Sequence, residues 1–362
     1  LVMGFGLYGH LEPSSQLASK QRVLEDSLWH IGRVRADSML PPIDSQPWQY
    51  RHRARFGVRS MPGKGDVLIG FHEKRSSYIA DIRTCPVLPE HVSSLLLPLR
   101  SLVAGLTISD RLPQIEVAVG ARTTALTFRI LQRPSGKDEV KIREFAEQHR
   151  VVIYLQPKGP DSTYRFCPDS ADRLSYQLPD FDLELDFLPN DFTQVNHPVN
   201  RVMVRRALSL LAPVPGERIA DMFCGLGNFT LPIARLGATV VGVEGSEGLV
   251  RRGEAAAKAN GLSERVSFRV ANLFDASEAS VAKLGLFDKM LIDPPREGAI
   301  ELVKALGSDG PRRIVYVSCN PATLARDAAH LVLQQGYQLS AAGIINMFPQ
   351  TAHVESIAVF QK

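Results

Sequence analysis

Cys319 and Glu355 carry the strongest chemical suggestion in this chain. Cys319 stands in Ile314-Val315-Tyr316-Val317-Ser318-Cys319-Asn320-Pro321, after an apolar β-branched run and before a helix whose first turn holds Pro321. That order predicts a sulfur at a helix N-terminus, a setting that favours thiolate. A lone cysteine is more often a small core residue, so the nucleophilic reading depends on a strand end shared with other polar loops. Glu355, in His353-Val354-Glu355-Ser356, is an acid inside an apolar strand. It is either an edge-strand carboxylate or, if buried, a base with raised proton affinity.

A second constellation lies about a hundred residues earlier. In Ile219 to Gly227 a short apolar run ends in Asp221, glycines follow at Gly225 and Gly227, and an apolar helical pattern runs on through Leu236. Such a strand–loop–helix turn lets backbone approach a ligand closely. A dinucleotide fingerprint needs a third glycine, and that position is Thr230. Asp221 instead offers a carboxylate to an ammonium, and Glu244, ending the next strand, is set to take ribose hydroxyls. A nucleoside with an amino-acid tail and no phosphate fits this pattern: S-adenosylmethionine. The competing reading is a glycine-rich turn of an unrelated α/β fold.

Asn272, after the third strand, is an adenine partner in this scheme, and Asp293 follows the fourth. Asp293-Pro294-Pro295-Arg296 resembles the Asn/Asp-Pro-Pro-aromatic loop of amino-group methyltransferases, with arginine where the stacking aromatic stands, which argues against an exocyclic amine as target. Taken alone, such a loop is structural as often as functional. A nucleophilic cysteine beside a methyl donor has a specific use. Carbon 5 of a pyrimidine is a poor nucleophile until a thiolate adds at carbon 6. A base must then take the carbon-5 proton, and Glu355 is the candidate.

The elements that must position these groups follow from periodicity. Lys20 to Ile31 has helical spacing through Val23, Leu24, Leu28 and Ile31, with residues 1–15 read as loop. From Tyr50 to Asp186 the pattern is mostly alternating strand, interrupted by helices near Pro89–Ala104 and Asp138–His149. From Leu188 onward strands and helices alternate, which predicts a doubly wound parallel sheet binding ligands at its carboxyl ends. Tyr337–Ile345 and His353–Phe360 have no helix between them and are expected to pair antiparallel at the edge. The expected organisation is an α+β domain over residues 1–187 and an α/β domain over 188–362, consistent with a chain of 362 residues.

Composition narrows the class. No run approaches the ~20 apolar residues of a membrane helix, and no signal-peptide pattern opens the chain, so a cytoplasmic protein is expected. A net charge of +4 is weakly consistent with a nucleic-acid partner. Its distribution is more telling: Arg51 to Arg59 holds four arginines and no acid in nine residues, beside Trp48 and Tyr50. This is either a solvated strand edge or a contact to RNA phosphates. Cys85, Cys167, Cys224 and Cys319 form no CxxC pair, so neither a disulfide framework nor a cysteine metal site is expected from spacing.

Together these residues resemble the RNA uracil-C5 methyltransferases, and most the bacterial 23S rRNA branch. The resemblance is continuous from about 187 to 360. It rests on Phe187-Leu188-Pro189-Asn190-Asp191-Phe192-Thr193-Gln194-Val195-Asn196, the Asp221 loop, Asp293 to Arg296, Ser318 to Asp327 and Met347 to Ser356, with Tyr50 to Arg55 matching less specifically. It implies a class I S-adenosylmethionine-dependent methyltransferase fold, Rossmann-like with an antiparallel C-terminal edge, preceded by an RNA-binding α+β domain. It implies Cys319 as nucleophile and Glu355 as base. Gln194, Phe223, Asn228, Glu244, Asn272 and Asp293 match the cofactor pocket, with Gln194 and Asp293 near the uracil as well. Phe192 matches the aromatic that stacks on the target base.

The ribosomal branch also carries a four-cysteine iron–sulfur site. Here Gly4 to Leu11 matches that segment with Tyr8 and Leu11 in cysteine places, and only Cys85 matches a ligand. Four thiolates are the usual requirement, so no cluster and no metal are expected. The small amino-terminal β-barrel that often precedes the fold in the family is likewise not expected here. The expected partner is 23S rRNA, with no membrane, no protein partner and a monomeric state. The alternatives are a uracil in the tRNA T-loop, a cytosine carbon 5, or a catalytically reduced RNA-binding or ribosome assembly factor. Ser318-Cys319-Asn320 disfavours the cytosine reading, and Asp191 to Asn196 favours the ribosomal branch over tRNA.

Overall fold

A computed structural model describes residues 8–61, 66–73, 76, 78–169, 173–307 and 309–362. Helix α1 (Pro13–His30) and the short β1 (Ser38–Met39) come first. Then follow β2 (Arg53–Met61), β3 (Asp66–Gly70), α2 (Glu90–Ser93), α3 (Leu96–Ala104), β4 (Gln114–Val119), β5 (Thr124–Arg129), α4 (Gly136–His149), β6 (Val151–Gln156) and β7 (Tyr164–Cys167). Strands β8 (Ser175–Leu178) and β9 (Leu183–Asp186) pair with each other. The remainder is α5 (His197–Leu211), β10 (Arg218–Met222), α6 (Thr230–Arg235), β11 (Thr239–Glu244), α7 (Glu247–Ala259), β12 (Val266–Val270), α8 (Glu278–Ala282), β13 (Lys289–Ile292), α9 (Ile300–Ala305), β14 (Arg313–Ser318), α10 (Pro321–Leu333), β15 (Gln338–Ile345) and β16 (Glu355–Gln361).

The chain forms two compact units. The first holds Gln46–Tyr176 and Asp186–His197; the second holds His10–Ser45, Gln177–Leu185 and Pro198–Lys362. In the first, six strands lie in the order β3-β2-β4-β5-β6-β7, antiparallel except where the α4 crossover makes β5 and β6 parallel. Alternation along β2 buries Ala54, Phe56 and Val58 in a core with Leu96, Leu99, Ile115, Phe128 and Ile142. Helix α4 starts at a capping box in which the Ser135 hydroxyl and the Asp138 carboxylate each satisfy the other's backbone N–H.

In the second unit the order is β1-β15-β16-β14-β13-β10-β11-β12. Strands β12, β11, β10, β13 and β14 are parallel, and β16 pairs antiparallel with both β14 and β15. The expected doubly wound sheet with its antiparallel edge is therefore present. Chain order reverses between β10 and β13, the switch point at which such sheets bind ligands.

The amino-terminal segment differs from expectation. Helix α1 begins at Pro13, since proline lacks only an N–H that the first helical turn leaves unbonded anyway. It belongs to the second unit, packed against α10, and β1 pairs in parallel with β15. A first domain running unbroken to residue 187 thus differs from the observed compact units. The expected apolar face is also rotated. Val23 and Ile31 are exposed, and the buried stripe is Gln16, Lys20, Leu24 and Leu28, four residues apart. No helix among the described residues is long and apolar enough to cross a membrane.

Candidate active site

The carboxyl edge of the second unit's sheet collects the chemical groups. Asp221 lies near the end of β10, Glu244 ends β11, Asp293 follows β13 and Cys319 follows β14. Because β16 runs opposite to β14, its first residue, Glu355, comes to the same edge. The register pairs Ser318 with Ser356. Cys319 and Glu355 are the neighbours of that last pair, near enough for the charge of Glu355 to act on the thiol. Strand β16 lies between β14 and β15, so Glu355 is not an edge-strand carboxylate.

Asp221 is fully buried; its Oδ2 accepts from Thr230 Oγ1 at 2.5 Å, whereas Oδ1 has no partner. Burial pushes its pKa up to about 7 against the Thr230 hydrogen bonds, and the charge of Glu244 adds to the rise. Thr230, which breaks the dinucleotide fingerprint, thus has the positive role of orienting Asp221. Glu244 accepts from the Gly225 N–H at 3.1 Å and the Ser246 N–H at 3.0 Å. Gly225 has φ of +54°, and nothing lies within 4 Å of where a Cβ would stand. Backbone is therefore open to a ligand at that point. Phe223, also at positive φ, sets its ring 5.5 Å from that of Phe274.

Two expected cofactor residues are already engaged. Asn228 exchanges a pair of amide hydrogen bonds with Asn200 of α5, at 2.9 and 3.0 Å. Asn272 is exposed, donates to Asp275 Oδ2 at 2.5 Å and accepts from the Phe274 N–H at 3.1 Å. Asp275 and Asn200 had no signal in the sequence, because each acts only through a neighbour brought near by the fold.

The electrostatics of Cys319 correct the expected thiolate. Helix α10 does start just beyond it, with Asn320 as N-cap. Burial nevertheless pushes the thiol up to about 11, the charges of Glu355 and Asp293 add to that rise, and Arg296 opposes it. Desolvation and two acids outweigh one helix end. Glu355 is buried, and burial raises its pKa; His353, with Nε2 3.7 Å from Oε1, and then Lys20 and Arg296 oppose the rise. Asp293, half-buried, is raised well above the carboxylate range by burial and by the charges of Glu355 and Asp221.

Phe192 and Gln194 belong to the first unit. Phe192 is 73% exposed, while its neighbours Asp191 and Thr193, and Asn196 beyond, are buried. Arg53 fastens this loop: its guanidinium donates to the carbonyls of Pro189 and Asp191 and to Thr193 Oγ1. The Leu188 N–H donates to Asp191 Oδ2 at 2.6 Å, and the His52 N–H to the Val195 carbonyl at 2.7 Å. Of the basic run, Arg53 is thus a loop anchor, and Arg55 pairs with Glu116 at 2.9 Å. On the same unit, Arg122, Arg143 and Arg150 line a concavity of about 660 Å³, with Arg143 over the Phe166 ring.

Residues 4–7 of the segment aligned with iron–sulfur ligands lie outside the described residues. Cys85 is buried, and burial raises its pKa. Among the described residues no group of three or more His, Cys, Asp or Glu is placed to hold a metal ion.

A family model described as tRNA (Uracil-5-)-methyltransferase matches residues 170–362. Over 362 residues the chain is 65% identical to the 23S rRNA (uracil(1939)-C(5))-methyltransferase RlmD of Dechloromonas aromatica (strain RCB), covering 99% of this chain and 84% of the relative. The chain belongs to the uracil-C5 methyltransferase family. Its similarity to the RlmD of Azoarcus sp. (strain BH72) is 61% over 364 residues, covering 99% and 84%. Its fold matches that of Pyrococcus abyssi tRNA (uracil-54, C5)-methyltransferase in complex with S-adenosyl-L-homocysteine, with a TM-score of 0.76 and 26% identity over 99% of this chain and 86% of that one.

This uracil-C5 methyltransferase is an S-adenosylmethionine-dependent enzyme, and the strand-end groups suit that donor. The unpartnered Asp221 Oδ1 suits an ammonium, the open face of Gly225 admits a close approach, and each Glu244 oxygen keeps a lone pair for a ribose hydroxyl.

Proposed function

We propose that this methyltransferase acts on carbon 5 of a uracil in 23S rRNA, with Cys319 as nucleophile, Glu355 as base and Phe192 as the platform for the target base. The RNA class is supported by relatives at 65% and 61% identity that are named for 23S rRNA, against 26% for the tRNA enzyme. The observation that carries the mechanism is the β14–β16 register, with Ser318 opposite Ser356, which brings the adjoining Cys319 and Glu355 to one edge, where the charge of Glu355 reaches the thiol.

S-adenosylmethionine supplies an electrophilic methyl group on a sulfonium sulfur. Asp221 and Glu244 would hold it, with Phe223, Asn228, Asn272 and Asp293 of the same unit lining its pocket. The Cys319 thiol loses its proton to solvent, and the thiolate forms a bond to carbon 6 as the carbon-5,6 double-bond pair shifts toward the carbon-4 carbonyl. Carbon 5 then takes up the methyl group, whose bond to the sulfonium sulfur breaks with its pair left on that sulfur. Glu355 removes the carbon-5 proton, the double bond re-forms, and the carbon–sulfur bond breaks with its pair returning to Cys319. Carbon 6 is out of reach in a stacked helix, so the base is extruded, and the exposed Phe192 ring offers a face for stacking.

The test is a 23S rRNA fragment carrying 5-fluorouracil, incubated with S-adenosylmethionine. Fluorine does not leave carbon 5 as a proton, so a denaturation-resistant protein–RNA adduct is expected with wild type and none with Cys319→Ala. An adduct on a tRNA T-loop but not on the rRNA fragment would overturn the substrate assignment. An adduct that survives Cys319→Ala would overturn the nucleophile.

A further inference from the structure

The stripe that α1 buries changes character along its length. Leu24 and Leu28 enter the apolar core, whereas Gln16 and Lys20 are polar and only 2% and 0% exposed. Burying polar groups is costly without partners, and here, apart from the Leu11 carbonyl that also accepts from Gln16 Nε2 at 3.0 Å, the partners come from one segment, the connection between β15 and β16. Lys20 Nζ donates to Asn346 Oδ1 at 2.6 Å and to the Phe348 carbonyl at 2.9 Å. Gln16 Nε2 donates to Gln350 Oε1 at 2.9 Å, and its Oε1 accepts from the Gln350 N–H at 2.9 Å. Asn346 is secured in turn by Asp44 Oδ1 at 2.8 Å and by the Ile43 carbonyl.

This connection delivers the base. The Phe348 ring stands edge-on to His353 with centroids 4.8 Å apart, and His353 is 3.7 Å from Glu355, the first residue of β16. Among the described residues no carboxylate lies within 4.0 Å of Lys20 Nζ, so its hydrogen bonds go to neutral oxygens. An ammonium in that position is needlessly expensive for packing alone, since an amide could fill the stripe at less cost. Its charge acts at longer range, on Glu355.

We propose that Lys20 is a positioning residue for the proton-abstraction step: it clamps the 346–350 connection that leads into Glu355 and contributes the positive charge that keeps Glu355 an acceptor. The inference rests on Glu355 being the base. The charged and titratable groups around Glu355 are His353 on its own segment, Lys20 from α1, Arg296 from the loop after β13, Asp293 from that same loop and Cys319 after β14. Asp44 acts on Lys20 rather than on Glu355. Burial of Lys20 lowers its pKa to about 8, partly offset by Asp44 and Glu355. The effect is therefore present below about pH 8 and fades above it.

Lys20→Gln removes the charge and leaves an amide donor on a shorter stem, and Gln16→Leu weakens the clamp with no change of charge. Two rates separate the roles: adduct formation on 5-fluorouracil RNA, which stops before proton abstraction, and release of methylated product from ordinary RNA between pH 6 and 9.5. For Lys20→Gln, adduct formation within about twofold of wild type is expected, with the acid limb of product release moved up about one unit, so that release is slowed about tenfold on that limb. The wild-type and Lys20→Gln curves should converge above pH 9. Gln16→Leu should slow release without moving the limb. A Lys20→Gln release profile that superimposes on wild type overturns the proposal, as does a Gln16→Leu limb shift equal to it. No adduct from wild type would instead remove the covalent mechanism itself, an outcome distinct from either.

Discussion

The carboxyl edge of the second unit and the 188–196 loop of the first hold their working side chains in opposite ways. At the edge, Asp221 and Glu355 are buried, and the proton affinities of Asp221, Asp293, Glu355 and Cys319 are all raised by desolvation, with neighbouring acids adding to the rise at Asp221, Asp293 and Cys319. In the loop, Phe192 is 73% exposed, and the neighbours that hold it are the buried part. Chemistry needs groups removed from water, where fields are strong. Recognition needs a rigid group left in water, so that covering it on binding gains free energy. Substitutions at the edge should therefore change individual chemical steps, and substitutions in the loop should change affinity for RNA.

The largest effect is expected at the edge. Glu355→Gln leaves a neutral side chain of the same shape at the start of β16. Methyl transfer should proceed while loss of the carbon-5 proton slows by roughly 10²–10⁴-fold, so a covalent adduct should accumulate on ordinary RNA with natural uracil. Single-turnover gels read this directly. Release at the wild-type rate would take Glu355 out of the mechanism.

A second prediction concerns the thiol. Because burial, Glu355 and Asp293 push Cys319 up to about 11, its reactive thiolate is scarce at neutral pH. Adduct formation on 5-fluorouracil RNA should rise about tenfold per pH unit between pH 6.5 and 8.5. Arg296 opposes the shift, so Arg296→Gln should lower the rate several-fold throughout. A flat profile would mean that the bound RNA and donor have already lowered the thiol, and that Asp293 and Glu355 are neutral in the complex.

Sequence patterns made the edge legible and left much of its support hidden. Strand and helix periods are local, and they located β10 to β16 and hence the strand ends at Asp221, Glu244, Asp293 and Cys319. The sign of the Cys319 shift was not local: it depends on acids 26 residues before and 36 after, at Asp293 and Glu355, brought together by sheet register. The stripe of α1 was misjudged for a related reason. A search for apolar periodicity selects Val23 and Ile31 and passes over Gln16 and Lys20, although burial follows the geometric period of four whatever the residue type. Arg53 could be seen as basic but not as an anchor, because its acceptors are mostly backbone carbonyls that no sequence pattern marks.

In the first unit the comparison predicts losses of affinity. Phe192→Ala removes a stacking face worth ~1–3 kcal/mol, so kcat/KM should fall about 10- to 100-fold. The pH profile of adduct formation at saturating RNA should stay unchanged. Arg53→Met should reproduce part of that loss without touching the ring, by releasing Pro189, Asp191 and Thr193. If Phe192→Ala shifts the pH profile instead, the ring acts on the chemical groups, and the division between the two regions fails.

The smallest effect is expected at the concavity lined by Arg122, Arg143 and Arg150. A phosphate contact neutralises backbone charge and releases counterions, so its loss flattens the salt dependence of binding as well as weakening it. Arg143→Ala has a second consequence, since the guanidinium also lies 4.5 Å from the centroid of Phe166. Arg150, which follows α4 in a left-handed conformation, makes the cleaner probe. Arg150→Gln should weaken rRNA-fragment binding by about two- to fivefold at 0.15 M salt and reduce the slope of log affinity against log salt by somewhat less than one. Equal weakening at every salt concentration would mean that the residue acts through folding of the α4–β6 turn, and that the concavity is not part of the RNA track.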